Sequence, residues 1–330
     1  MFEGFSNQWT AVTLSRRLKK RPLAVAVAGE KLVLFRDAQG KVSALLDRCP
    51  HRGVALSLGR VTPDGCIECP FHAWKFDARG QNRGVPLNPD AKRERLFATS
   101  VPARDLGGLL WVYTAPVSEA PVEPTVPDSL TAPGLARNYL ELEWAAHWSR
   151  VMENMLDGPH VPFLHRKTIG RFVSPYLKPD SRMDIELNEE PYGFSTRGVL
   201  DGDRARDSGH LEFYRPNVMV LNIPMKGHTF RQHSICVPVS AERSRLIIVG
   251  ARSFARLALL NPIFNWQNLR VALEDQAVIE SSQPPEVPHP SHELSVRTDR
   301  ATLHFRKFYF ETLKGSSTLP ARPEPATRVA

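Results

Sequence analysis

Two short segments, Cys49-Pro50-His51 and Cys69-Pro70-Phe71-His72, constrain the fold of this chain more than any other feature of its sequence. Each segment offers one thiolate and one imidazole, and seventeen residues separate the two segments. A proline follows each cysteine, and the second donor of each pair is a histidine. Two loops must therefore meet in a small domain, so that two sulfur and two nitrogen donors can share one metal group.

This set of donors is that of a Rieske [2Fe–2S] cluster, in which two cysteines hold one iron and two histidines hold the other. The predicted cluster ligands are Cys49, His51, Cys69 and His72. Zinc is the alternative, because mixed cysteine and histidine sets also bind it, but zinc sites usually pair two cysteines with a separate pair of histidines. Cys66 forms a C-x-x-C with Cys69, and its role is left open.

The composition indicates an ordinary globular protein that works inside the cell. A length of 330 residues suggests about two domains. Four cysteines are too few for a disulfide framework, and no apolar run reaches the ~20 residues of a membrane helix. The first residues do not have the pattern of a signal peptide, so we expect a cytoplasmic protein with no membrane span.

The net charge of +8 leaves two interpretations open. The basic residues are scattered and no nucleic-acid motif accompanies them, so we expect no nucleic-acid partner. Several arginines and lysines flank the cluster segments, which would suit an acidic redox protein. A solvated basic surface without a partner is the other interpretation.

The chain divides near residue 116. Alternating segments at 23–28, 31–36 and 42–47 predict antiparallel strands, and the density of prolines from 115 to 133 predicts an extended linker. We therefore expect a domain at 1–115, a linker at 116–135, a second domain at 136–314 and a disordered tail at 315–330. The second domain has helical spacing at 144–156 and 265–282, and strands at 217–223, 228–237 and 243–250.

The second domain carries the segment Asp157-Gly158-Pro159-His160, followed by His165, where a predicted helix ends. Two histidines and a distant carboxylate make the facial triad of a non-haem Fe(II) oxygenase. Alone, two histidines five positions apart are a weak indication, because packed or surface pairs are common. Candidates for the carboxylate lie on the predicted helix 265–282, which carries Glu274 and Asp275.

Asp275 falls on an apolar face of that helix with Val271, Val278 and Ile279. A carboxylate on such a face is costly unless a partner such as a metal compensates it. A surface cap or salt bridge is the alternative.

Taken together, the two donor sets resemble the Rieske non-haem iron oxygenases, the family of ring-hydroxylating oxygenase α subunits. The D-x-x-H-x4-H motif of that family matches Asp157, His160 and His165. The surrounding residues are most similar to the branch that includes demethylating and hydroxylating monooxygenases and the pheophorbide and chlorophyllide oxygenases. The resemblance implies an α+β fold, with an N-terminal antiparallel β Rieske domain followed by a helix-grip catalytic domain in which an antiparallel sheet packs with helices.

The resemblance also implies roles for individual residues. A mononuclear Fe(II) would be held by His160, His165 and Asp275, with Glu274 as the alternative carboxylate. Asp157 would bridge His160 to the cluster ligand His72 of a neighbouring subunit, although it could instead be a turn residue. Asn154 would support the iron site by hydrogen bonding.

As a member of this family, the chain would be a terminal oxygenase component that uses O2. It would hydroxylate or oxidatively demethylate a small, mostly apolar cyclic or aromatic substrate, more as a monooxygenase than as a dioxygenase. No G-x-G-x-x-G motif of a nucleotide-binding domain is present, so electrons would come from a ferredoxin, an NAD(P)H-dependent reductase or both. A homotrimer is expected. A Rieske electron-transfer protein with a non-catalytic second domain, and a zinc-dependent binding or regulatory protein, are the alternatives.

Overall fold

The structure is a computed structural model that describes residues 1–117, 119–203 and 209–315. Its first strands are β1 Trp9–Leu14, β2 Leu23–Val27, β3 Glu30–Arg36, β4 Val42–Leu46, β5 Arg60–Val61, β6 Ile67–Glu68, β7 Lys75–Phe76, β8 Asn82–Gly84, β9 Ser100–Val101, β10 Ala103–Leu106 and β11 Leu109–Tyr113. The later strands are β12 Ala136–Trp144, β13 Met183–Glu190, β14 Gly193–Leu200, β15 His210–Tyr214, β16 Val218–Asn222, β17 Phe230–Ser240 and β18 Arg243–Arg252.

The helices lie mainly in the second half of the chain. They are α1 Asp128–Thr131, α2 Trp148–Leu156, α3 Val161–Leu164, α4 Asn261–Ile279 and α5 Arg300–Phe308, which runs into a π-helical turn at Tyr309–Leu313. Short 3-10 helices lie at Ser15–Arg17, Leu56–Leu58, Arg93–Arg95, Ile169–Phe172, Ser174–Tyr176, Ala258–Leu260, Pro290–His292 and Arg297–Asp299. Among the described residues, no helix combines the length and the apolar character that a membrane crossing requires.

The N-terminal strands form small antiparallel sheets, with the orders β1-β11-β10, β2-β3-β4-β9 and β5-β6-β7-β8. The hairpin between β2 and β3 turns at Ala28 and Gly29, which both have positive φ angles, of 47° and 79°. Two positive φ angles match the right-handed twist of the flanking strands, so this turn fixes the strand register. The small β5–β8 sheet carries the second Cys/His segment between β6 and β7.

The later strands form one antiparallel sheet with the order β12-β18-β17-β16-β15-β14-β13. Helices α2 and α5 pack together on this sheet, and α4 runs against β12. Trp148, Val151 and Met152 turn the buried face of α2 towards the core. This arrangement of a sheet around helices is the expected helix-grip domain, so the predicted α+β fold class is confirmed.

The two halves of the chain share one hydrophobic core, in which Phe5 packs edge-on against Trp148, and polar contacts add to it. The amide of Asn217 donates hydrogen bonds to Thr10 Oγ1 and to the carbonyl oxygen of Cys236, both at 2.9 Å. The hydroxyl of Thr13 donates to Glu141 at 3.1 Å, and Arg245 donates to the carbonyl oxygen of Val12 at 2.6 Å. These contacts hold β1 against the seven-stranded sheet, although β1 precedes the cluster segments in sequence.

Two predicted elements differ from the structure, and a third is not tested by it. The helix expected at 144–156 begins only at Trp148, because β12 continues through Trp144. The proline-rich segment predicted as an extended linker contains the short helix α1. Pro127 directly precedes this helix, at a position where the missing backbone N–H of proline breaks no helical hydrogen bond. The tail predicted to be disordered, 315–330, lies outside the described residues apart from Gly315.

The predicted apolar face of α4 is also partly wrong. Asp275 and Ala272 are buried, but Val278 has 46% of its surface exposed. The buried side of α4 is narrower than the predicted stripe, because the helix packs on the rest of the chain along one side only.

Candidate metal centres

Two loops of the same design present the N-terminal donors. In the first loop, the amide of Cys49 donates to the carbonyl of Val54, and the amide of Gly53 donates back to the carbonyl of Cys49. In the second loop, Cys69 has the corresponding bonds with Trp74 and Ala73. The fourth residue after each cysteine has a positive φ, of 71° in the first loop and 53° in the second. The repeated geometry gives both donor segments the same tight turn.

The structure brings the four predicted cluster ligands together. The rings of His51 and His72 have centroids 4.7 Å apart, and the thiols of Cys49 and Cys69 are close enough to interact. Both cysteines are buried in a small core, whereas His72 is exposed. Trp74 stacks flat on His51, with centroids 4.5 Å apart.

Cys49 and Cys66 are both buried, and burial raises the pKa of both thiols. Burial, and then the neighbouring Cys69, raise the pKa of the Cys49 thiol to about 11. Buried sulfurs of this kind become thiolates only when a cation is bound, which is the condition in an iron–sulfur cluster. Burial, and then the nearby Asp64, also raise the pKa of Cys66, to about 11. Cys66 is a buried thiol beside a carboxylate, which agrees with a packing role.

Helix α3 positions the two histidines of the second centre. His160 precedes its first residue and His165 follows its last, so one helical turn separates the two side chains. The amide of Leu164 donates to the carbonyl of His160, and the amide of His165 donates to that of Val161. The single turn places both imidazoles on the same side of the chain.

Helix α4 supplies the carboxylate. Asp275 Oδ1 lies 3.1 Å from His165 Nε2 and 3.5 Å from His160 Nε2. One donor atom from each of the three residues lies within 4.8 Å of the others. Asp275 and His165 are buried and His160 is half-buried, so the group is largely shielded from solvent.

The charges of this group are strongly coupled. Burial would lower the pKa of His160, but the carboxylates of Asp157 and Asp275 raise it to about 9. Burial would raise the pKa of Asp275, but the adjacent imidazoles of His160 and His165 lower it to about 2. Asn154 lies beside Asp275 and also lowers that pKa.

The donor set fits a metal ion. Asp275 Oδ1 is buried and accepts no hydrogen bond, although two imidazole nitrogens lie close to it. Donors that share an ion at bonds of about 2 Å lie roughly 3 Å from one another, which is close to the observed distances. Two imidazoles and one carboxylate on one side are the ligands that non-haem Fe(II) takes.

Two further carboxylates contact the outer nitrogens of the histidines. Asp157 Oδ2 lies 3.5 Å from His160 Nδ1. Glu274 Oε2 lies 2.7 Å from His165 Nδ1, on the side of the ring away from Asp275. The geometry therefore favours Asp275 over the predicted alternative, Glu274, as the metal-binding carboxylate.

Comparison with known proteins agrees with both centres. Residues 8–100 match the Rieske [2Fe-2S] domain family, and residues 144–314 match the vanillate O-demethylase oxygenase C-terminal domain family. Chlorophyllide a oxygenase of Chlamydomonas reinhardtii is 34% identical over 172 residues, which are 51% of this chain and 26% of that protein. The oxygenase subunit of tert-butanol monooxygenase / tert-amyl alcohol desaturase from Aquincola tertiaricarbonis is 33% identical over 193 residues, 58% of this chain and 41% of that protein. The chain thus spans less than half of the length of these two relatives.

Among solved structures, Pseudomonas putida CBB5 NdmA superposes with a TM-score of 0.80 at 24% identity, covering 93% of this chain and 90% of that chain. At this identity the likeness shows the fold. The fold and the two donor groups define a protein that joins a Rieske domain to a mononuclear non-haem iron domain. The chain belongs to the Rieske non-haem iron oxygenases, whose cofactors are a Rieske [2Fe–2S] cluster and a mononuclear iron that works with O2.

The predicted site residues all lie at one of the two centres, and their individual roles stay predictions. Cys49, His51, Cys69 and His72 meet at the first centre. The residues Asn154, Asp157, His160, His165 and Asp275 meet at the second. Sequence analysis missed Thr168, whose hydroxyl donates to Glu274, and no signal in the sequence indicates that contact.

Proposed function

We propose that this chain is the terminal oxygenase component of a multi-protein oxygenase. It would hydroxylate or oxidatively demethylate a small, mostly apolar cyclic or aromatic substrate, more as a monooxygenase than as a dioxygenase. The observation that carries the proposal is the presence of both donor sets in one chain, with the buried Asp275 Oδ1 facing two imidazoles. The match to a demethylase domain family supports the choice of chemistry.

The residues of each centre have distinct tasks in this proposal. Cys49, Cys69, His51 and His72 would hold the cluster, and His160, His165 and Asp275 would hold the mononuclear iron. When bound, the two groups supply stored electrons and a place for O2 to react. The protein positions the donors and keeps the second centre largely away from water.

Asp157 is proposed to link the two centres between subunits of a homotrimer. Its side chain is 35% exposed and lies beside His160, and the cluster-binding His72 is exposed on the other domain. A carboxylate that accepts from two imidazoles orients both rings. A head-to-tail ring of three copies would close such contacts around one axis.

The electron donor is proposed to be a ferredoxin, an NAD(P)H-dependent reductase or both. Arg48 and Arg52 are exposed beside the first cluster loop, which supports an acidic partner. We also propose a cytoplasmic location, because no disulfide joins any of the four cysteines, all of which lie in the described part of the chain. The division into domains at residues 1–115 and 136–314 is part of the same proposal.

Iron analysis tests the proposed function. The purified protein should hold about three irons per chain, two in the cluster and one mononuclear, and its reduced form should show the EPR signal of a Rieske centre. His160→Ala and His165→Ala should abolish turnover and leave the cluster spectrum intact, whereas Cys49→Ser should remove the cluster. A protein that contains zinc alone, with no visible absorption, would refute the proposal.

The bridge is tested by Asp157→Asn. An amide has one accepting oxygen where a carboxylate has two, so it cannot give one oxygen to each of two imidazoles; both metals should stay bound while turnover falls by at least 10–100-fold. The measurement is the rate at which a prereduced cluster is reoxidised on addition of substrate and O2. Reoxidation at the wild-type rate, or at an undiminished rate in a diluted monomer, would contradict the bridge.

A further inference from the structure

Glu274 contacts the outer nitrogen of His165 at short range. Its Oε2 lies 2.7 Å from His165 Nδ1 and also accepts a hydrogen bond from Thr168 Oγ1 at 2.7 Å. Glu274 and Asp275 are successive residues of α4, so the helix presents one carboxylate to each nitrogen of the same imidazole. The ring of His165 is thereby held from both sides, and its side chain is only 1% exposed.

The contact decides which nitrogen of His165 can bind a metal. A carboxylate accepts hydrogen bonds and cannot donate them, so Nδ1 carries the proton towards Glu274, and Nε2 would offer its lone pair to a metal ion held between it and Asp275. Thr168 holds the carboxylate in place, because its hydroxyl donates to the same oxygen. Outer carboxylates of this kind fix the orientation of a metal-binding histidine and increase its basicity.

The two histidines of the centre are anchored unequally. His160 Nδ1 lies 3.5 Å from Asp157, whose carboxylate is partly exposed. His165 Nδ1 has the shorter contact, to a carboxylate that a second side chain also holds. The protein therefore orients His165 more firmly than His160, whose Nδ1 has the longer contact.

We propose that Glu274, held by Thr168, is a positioning residue that makes His165 the principal anchor of the mononuclear metal. His160 is then the ligand whose environment Asp157 sets. This inference rests on the proposed metal site and goes beyond it, because it ranks the two histidines by how firmly the protein orients them.

The test is the affinity of the metal-free second centre for Co(II), followed by its visible absorption, with the cluster spectrum as an internal control for folding. Glu274→Ala should weaken Co(II) binding by roughly 10–100-fold. Glu274→Gln should recover part of this loss, since its amide oxygen can still accept both hydrogen bonds. Thr168→Val should give a smaller loss than Glu274→Ala. Glu311→Ala, at an exposed glutamate, is the matched control and should bind Co(II) as the wild type does.

The ranking of the histidines has its own comparison. Asp157→Ala should weaken Co(II) binding less than Glu274→Ala does, and equal or reversed losses would overturn the inference. Wild-type affinity in Glu274→Ala would overturn it as well. If the wild type binds Co(II) but the iron-loaded enzyme oxidises no substrate, the proposed function fails while the anchoring role stands. If the wild type binds no Co(II) at the second centre, both are refuted.

Discussion

Gly170 allows the chain to turn back closely onto helix α3, which His160 and His165 flank. A Cβ atom at this position would lie 2.4 Å from the carbonyl oxygen of Val161 and 2.8 Å from that of His165. Both are backbone atoms, so they cannot rotate away as a flexible side chain could. The amide of Gly170 also donates to the carbonyl of His165 at 2.9 Å. Only glycine allows this close approach, which fixes the backbone of a proposed metal ligand.

Gly170→Ala should therefore displace His165. Overpacking of this kind costs about 1–3 kcal/mol of stability, and we expect weaker binding of the mononuclear metal with an unchanged cluster spectrum. Metal content after dialysis against a chelator measures the effect. Gly158→Ala is the matched control, because a Cβ there meets no atom within 4 Å. The same metal retention in both variants would contradict the expectation.

At this scale the sequence predicts donor types well and orientations poorly. The spacing of Cys49, His51, Cys69 and His72 was enough to identify the cluster type, because few metal sites combine those donors at those intervals. The contact of Glu274 with His165 could not be predicted, since it joins α4 to the end of α3 across the fold. Such a contact depends on the packing of two helices that are distant in sequence.

At the scale of elements, a ring of four charged side chains joins α2 to α5 and to the segment between α4 and α5. Arg306 contacts Glu153 at 2.6 Å and Glu293 at 2.5 Å, and Arg150 contacts Glu293 at 2.7 Å and Glu153 at 3.2 Å. Both arginines are buried. Opposite charges alternate around the ring, so each buried charge is compensated. The ring holds the helix that precedes Asp157.

Arg306→Met should be strongly destabilising, by on the order of 3–5 kcal/mol, because it leaves two carboxylates facing each other without one of their partners. Adding Glu153→Gln to this variant should recover part of the loss. Unfolding in urea, followed by circular dichroism, measures both. Arg297→Met removes an ion pair with Asp184 from a side chain that is 81% exposed, so it should change little. Similar losses in the two arginine variants would show that burial is not the cause.

The same comparison shows what element prediction can and cannot do. Helix α4 and strands β16, β17 and β18 were predicted within a few residues from hydrophobic spacing. Helix α2 begins later than predicted. An apolar Trp144 fits the buried face of a helix or of a strand equally well, and only the pairing of β12 with β18 assigns it to a strand. Pairing between distant segments is not visible in a local pattern.

At the scale of the whole molecule, two buried histidines connect folding to pH. His233 Nδ1 donates to the carbonyl of Val249, and its Nε2 accepts from Ser129 of α1. Burial lowers the pKa of His233 to about 4, and burial likewise lowers that of His147 to about 4. Both histidines are therefore neutral in the folded protein at neutral pH. His233 ties the proline-rich segment to the large sheet, and His147 caps the start of α2.

Stability should fall as the pH drops from about 6.5 to about 4. In this window the unfolded chain binds protons that the folded chain excludes, so the unfolded state is favoured. At about 1.4 kcal/mol per pKa unit, each histidine contributes a loss of roughly 2 kcal/mol at about pH 5. The free energy of unfolding at about pH 7.5 and about pH 5 measures this loss.

Between these two pH values, the free energy of unfolding should change less in His233→Gln than in the wild type, because one of the two titrating groups is gone. His228→Gln, at an exposed position, controls for the substitution itself. An unchanged difference between the two pH values in His233→Gln would contradict the assignment.

The contacts of β1 with the large sheet have a consequence for recombination between relatives. A chimera joined in the proline-rich segment would set the β1 of one parent against the Glu141, Asn217 and Arg245 positions of the other. The buried amide of Asn217 would then lose its Thr10 partner wherever the donor parent has an apolar residue there. Exchange of the iron–sulfur domain alone is therefore not sufficient. The residues of the second domain that contact β1 have to be exchanged together with it.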